Sequence, residues 1–300
     1  MSVDPKYHPW DVIWGLWVEA ASIHGWIYEK LYSPRGLNQS AEERMAVVKH
    51  LSEYTMGAQR KNAELKASSE TAVRPEYIKF VLEGDEVVYW SLLTLIYRAA
   101  PKDPQESSPF NKDCINAARS ALAAHQSCAL KYRDDHEYMW TIYLHWTLLS
   151  CPFIPFLVVF CHAVTFLDEA DMTRLEQFVL SLQPTKRASE AGIKMYRLCS
   201  MFHRVGKLYM DGRLRDRRDQ QLRTQAWDPY MNALKIVPGL SQLDEWNTSS
   251  MDLNTNSMNG VELQNDPAAL GDWFEGNQFI FGLLESDLSG LDFPGTGSGM

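Results

Sequence analysis

The sequence predicts an all-α protein: an irregular antiparallel helical bundle over residues 1–239, followed by a disordered acidic C-terminal tail over 240–300. Three observations lead there. Apolar residues recur at helical spacing from Asp11 to Met210, while alternating strand patterns are scarce. Capping residues and prolines punctuate those stretches where helices would begin and end. Finally, the charge is split, because the chain carries −9 overall, whereas residues 240–300 hold ten Asp or Glu and no Lys or Arg. The body is therefore close to neutral and the tail holds the acid.

The first helix spans Asp11 to Tyr32, with Ile13, Trp17, Ala20, Ile27 and Leu31 on one stripe and Ser33-Pro34 ending it. Ser40 and Glu43 form a capping box that starts a second helix over Ala41 to Ala67, since the hydroxyl and carboxylate can each satisfy a free backbone N–H. A third runs from Glu76 to Ala100, placing Val88, Leu92, Leu95 and Ile96 inward, with a weak point at Gly84. Pro101 to Pro109 is a loop. Further helices cover Asn111 to Lys131, Glu137 to Ser150, Pro155 to Leu167, Met172 to Leu182 and Ser189 to Met210, the last with Met195, Leu198, Phe202, Val205 and Tyr209 on its apolar face.

Tyr138 to Leu167 contains no Asp, Glu, Lys or Arg and is long enough to cross a bilayer. Pro152 and Pro155 interrupt it, His145 and His162 add polarity, and acidic clusters flank both ends without an excess of Lys or Arg on one side. A buried helix pair is the expectation, with no membrane partner. Cys114, Cys128, Cys151, Cys161 and Cys199 form no C-x-x-C pair and sit among apolar neighbours, as small buried thiols do. The start of the chain has neither the basic nor the apolar segment of a secretion signal.

After Pro238 the composition turns to Asn, Ser, Met and Gly, which bury too little to offset the entropy of ordering. Within that stretch, residues 272–293 are dense in large apolar side chains set among acids. Trp273, Phe274, Phe279, Ile280, Phe281, Leu283, Leu284 and Leu288 are the candidate partner-binding residues, because such a segment can lay one apolar helix face into a groove. The competing reading is a latch that folds back onto the bundle.

Motifs of catalysis are missing: there is no H-E-x-x-H, G-x-S-x-G, phosphate loop or dinucleotide fingerprint. The expectation is a chain that is not an enzyme and holds no cofactor. The Lys207 to Arg223 stretch holds Arg213, Arg215, Arg217, Arg218 and Arg223 but is interleaved with Asp211, Asp216 and Asp219, which favours a solvated, self-paired helix over a nucleic-acid surface. Asp168-Glu169-x-Asp171 is the nearest approach to a ligand cluster. It supports the alternative of a small-molecule-binding or cryptic enzymatic bundle with Asp168 and Asp171 as ligands, against helix capping as the simpler reading.

Three motifs carry a family resemblance: the helix Leu16 to Pro34, the helix start Cys114-x-x-Ala-Ala-Arg119, and Cys151-PFIPFLVVFCHAV-Thr165. Together they span Trp10 to Tyr209 and resemble the later part of the regulatory domain of fungal zinc-cluster transcription factors. The resemblance implies a nuclear regulator of RNA polymerase II transcription that acts through coactivator proteins, often as a homodimer, with a small-molecule effector possible. It also implies that DNA is read by an N-terminal zinc cluster, whose six cysteines this chain lacks, so zinc and DNA contact belong to a longer form. The tryptophans Trp14, Trp17, Trp90, Trp140 and Trp146 are read as core in preference to an effector pocket.

Overall fold

The computed structural model describes residues 8–69, 74–102, 108–134, 136–148, 153–183 and 189–234, with 219–234 described by backbone alone. All regular structure among them is helical, and the nine α-helices bear out the all-α expectation. The acidic tail and its candidate segment lie outside the described residues. The chain divides into two compact units, one comprising the described residues up to Lys207 and the other beginning at Leu208.

α1 runs over His8–Ile27 and continues as a wider π turn over Tyr28–Tyr32, followed by the short α2, Pro34–Leu37. α3, Ala41–Ser68, begins as expected: the Ser40 hydroxyl accepts from the Glu43 N–H at 3.2 Å, and the Glu43 carboxylate accepts from the Ser40 N–H at 3.0 Å. α4 covers Pro75–Arg98, α5 Lys112–Tyr132 and α6 Glu137–Tyr143, which passes into a second π turn at Leu144–Leu148. α7, Ile154–Phe166, and α8, Glu169–Ser181, precede the long α9, Glu190–Leu234. The last helix thus extends well beyond Met210, through the mixed-charge stretch that reads as self-paired helix.

One core cluster joins Ile23, Ile27 and Leu31 to Val48, Leu51 and Ala58 of α3 and to Tyr89, Leu92 and Ile96 of α4. A smaller one joins Ile13 to Ile78 and Leu82. α7 is the most deeply set helix: Phe156, Val158 and Val159 are all but inaccessible, and each such side chain contributes roughly 1.5–3 kcal/mol on burial. No described helix is long and apolar enough to cross a membrane. The charge-free stretch from Tyr138 is instead divided between α6, its π turn and α7.

Two glycines mark close approaches between helices far apart in the chain. A side chain at Gly84 would press a Cβ to 2.9 Å from the Thr147 hydroxyl, so the weak point in α4 is where the second π turn packs closest. At Gly206 a Cβ would meet the Phe160 ring at 2.7 Å. This contact also explains a departure from the expected stripe of α9. Met195, Leu198 and Phe202 are buried, but the inward line continues through Gly206, leaving Val205 and Tyr209 exposed.

Candidate functional site

The turn between α7 and α8 is sharp. Leu167 ends α7 in the left-handed conformation at φ 55°, with its N–H donating to the Ala163 carbonyl, and Asp168 immediately caps α8 by accepting from the Asp171 N–H at 3.0 Å. α8 therefore starts three residues before the periodic apolar residues suggested. The turn also brings His162, near the end of α7, and Asp171, in the first turn of α8, to the same point, where Arg119 arrives from α5.

Asp171 has no solvent exposure, and four N–H groups reach its carboxylate. Arg119 grips it with two, Nε to Oδ1 at 2.8 Å and Nη2 to Oδ2 at 2.7 Å; His162 Nδ1 donates to Oδ2 at 2.8 Å, and Arg174 Nη1 to Oδ1 at 2.8 Å. Arg119 Nη2 also donates to Asp168 Oδ2 at 3.1 Å. Burial alone would raise the Asp171 pKa, but the hydrogen bonds from His162 and Arg119 outweigh it and bring it down to about 2.

His162, Asp168 and Asp171 are close enough together to hold a cation, and they are the one such group among the described residues. The donor set argues against it. A carboxylate has about four acceptor positions, and Asp171 has all four engaged by N–H donors, so a metal would have to displace at least one of them. The ligand reading of Asp168 and Asp171 thus meets an arrangement already neutralised from within the chain. What the arrangement does is tie α5, α7 and α8 together.

A second polar chain crosses the interior close by. Ser181 Oγ donates to the Phe178 carbonyl at 2.6 Å, so His125 Nε2 must donate to Ser181 at 2.7 Å and Nδ1 must accept from the Tyr143 hydroxyl at 2.7 Å. Burial lowers the His125 pKa to about 3, which keeps the ring neutral. The trio resembles a nucleophile–base pair only in composition. The serine proton already has an acceptor, both residues are buried, and the His125 ring packs against Trp140, Tyr143 and Phe178.

Two further places hold titratable groups. Asp85 of α4 accepts from the Trp17 indole through both oxygens at 3.0 Å, and burial raises its pKa to about 7 against that bond. Between α4 and α5 lies an open groove of about 460 Å³ walled by Trp90. Its charges pair with each other, Lys66 with Glu86 at 2.8 Å and Lys131 with Glu83 at 2.6 Å, and burial pushes the Cys128 thiol up to about 12. Cys114, Cys128, Cys161 and Cys199 are all free and buried, as expected, and Cys151 lies outside the described residues.

The five tryptophans do not share a pocket or a core. Trp140 is buried, Trp17 and Trp90 are half-buried at different places, and Trp14 and Trp146 are 62% and 78% exposed, which corrects the reading of all five as core. The eight candidate residues from Trp273 to Leu288 lie outside the described residues. Arg119 and His125 carried no signal of their role in the chain. The one available hint for Arg119 was its position among the alanines of a helix whose other face is solvated.

The chain matches no family model, no curated protein and no solved structure.

Proposed function

We propose that this chain is the regulatory and activating portion of a fungal RNA polymerase II transcription factor, working in the nucleus through contacts with coactivator proteins. In this reading DNA is recognised by a zinc cluster outside the chain, and the chain itself performs no catalysis. One observation carries most of the weight: the Cys114 to Arg119 and Cys151 to Thr165 motifs that bear the resemblance supply two of the three basic partners of Asp171, Arg119 and His162, the third being Arg174. Residues that are 43 positions apart in sequence and belong to separate motifs thus serve one helix junction. An all-helical body with a neutralised polar centre suits a regulator that transmits contacts between helices. The acidic-aromatic segment 272–293 suits an activation segment, whose acids keep its aromatics hydrated until a groove accepts them.

The test is a reporter assay with residues 240–300 fused to a heterologous DNA-binding domain. We expect strong activation, lost when Phe279, Ile280, Phe281, Leu283 and Leu284 are all replaced by Ala. Equal output from the two fusions, or none from either, would remove the activating role from this segment.

A further inference from the structure

α9 presents cations that the fold does not neutralise. From Arg204 to Arg218 it carries Arg204, Lys207, Arg213, Arg215, Arg217 and Arg218 against Asp211 and Asp216, a net charge of +4 (6 − 2), and all eight residues are exposed. The self-pairing expected of this stretch does not form. Among the described residues neither aspartate makes an ion pair, nor does Lys207, Arg213, Arg215, Arg217 or Arg218; Arg213 lies instead over the Tyr209 ring, 5.9 Å from its centroid. At helical spacing Arg204, Lys207, Asp211, Arg215 and Arg218 fall within an arc of about 80° and along about 21 Å of helix. Beside this stripe Leu208 and Val205 are 71% and 58% exposed. Cations next to uncovered apolar side chains suit an occupant that mixes acids with large apolar residues, whereas a phosphate backbone would engage the cations alone.

We propose that this side of α9 is the resting seat of residues 272–293 of the same chain. That segment holds Asp272, Glu275, Glu285, Asp287 and Asp292 with no Lys or Arg, set among Trp273, Phe279, Ile280, Phe281 and Leu284. It is also within reach. Leu234, where α9 ends, lies 38 positions before Asp272 (272 − 234), and a flexible chain of that length averages about 35 Å end to end. The way back along α9 from Leu234 is about 24 Å to Arg218 and about 45 Å to Arg204. A tether whose mean length matches the span gives the highest effective concentration, in the millimolar range, so individually weak ion pairs suffice. Seated there, the segment is withheld from coactivators, a regulation that rests on the activating role proposed above.

The experiment is zero-length carbodiimide cross-linking of the full chain at about 1 µM, where a tethered contact outcompetes contacts between molecules. The reagent joins a lysine amine to a carboxylate; Lys207 is the lysine on the stripe, and residues 240–300 contain none. We expect mass spectrometry of the monomer to show Lys207 joined to acids of 272–293. The yield should fall about tenfold when Arg215→Glu and Arg218→Glu are combined, and also in about 0.5 M salt. Both arginines are exposed, so helicity by circular dichroism should be unchanged. Absence of the link, or a link indifferent to the charge reversals, overturns the proposal, as does a full chain that binds a labelled non-specific DNA duplex through the same arginines. A reporter separates this proposal from the reading beneath it. With the full chain fused to the heterologous DNA-binding domain, the charge reversals should raise output several-fold, and unchanged output beside an active 240–300 fusion would overturn the withholding. A silent 240–300 fusion would end the activating role and leave the cross-link to decide the seat.

Discussion

Asp171 and His125 lie on neighbouring helices and both have depressed pKa values, yet for opposite reasons. At Asp171 the charged form is favoured, because Arg119, His162 and Arg174 surround the carboxylate with donors. At His125 the charged form is excluded, because the ring is wholly buried and its two partners are neutral hydroxyls. The lesson is that burial does not dictate neutrality. It requires that each polar atom find a partner, and the charge on those partners decides which form survives.

The comparison can be broken most forcefully at its charged end. Asp171→Ala removes the anion and leaves Arg119 with only the weaker Asp168 contact, so urea unfolding should show a loss of about 3 kcal/mol. A loss under about 1 kcal/mol would mean that Asp168 and water replace Asp171 at little cost. His125→Leu removes two neutral hydrogen bonds while leaving Ser181 its bond to the Phe178 carbonyl, and should cost about 1–2 kcal/mol.

Acid titration of stability sharpens the same contrast. A His pKa lowered from 6.5 to about 3 favours the folded state above pH 6.5, and that advantage drains as pH falls toward 3. A carboxylate lowered from 3.8 to about 2 favours the folded state above pH 3.8 and is lost between there and pH 2. With Asp85 replaced by Asn, to remove the opposing titration described next, unfolding free energies measured by urea at successive pH values should therefore show two descents, and His125→Leu should flatten the one between pH 6 and 4 while sparing the lower one. Asp85 has the opposite sign: its pKa is raised to about 7, so stability is lost as pH rises from 4 to 7, and Asp85→Asn should abolish that decline.

The smallest effect belongs to Arg174. Its side chain is 43% exposed, so although it reaches Asp171 at 2.8 Å, Arg174→Ala should cost no more than about 0.5 kcal/mol. A cost near that of Asp171→Ala would place Arg174 on a par with Arg119.

The parts of the fold legible in the chain are those in which the signal is local. Ser40 and Glu43 are three residues apart, and their reciprocal bonds follow from that spacing. Pro34 and Pro101 stop helices because proline lacks a backbone donor, and the apolar neighbours of Cys161 foretold a buried thiol. Asp168 was legible as a cap for the same reason. What stayed hidden joins distant segments: Arg119 meets Asp171 across 52 positions, and His125 meets Ser181 across 56. No periodicity encodes such pairings, since a half-buried arginine and a solvated one look alike in sequence.

By itself the sequence determined the helical class, most helix boundaries and the division between a neutral body and an acidic tail, because propensity, capping and charge act over a few residues. Tertiary structure alone decided which polar groups meet, how little room is left beside Gly84, and which tryptophans are left outside. Those outcomes depend on where helices cross, and crossing is settled by the fit of side chains from segments that share no local pattern.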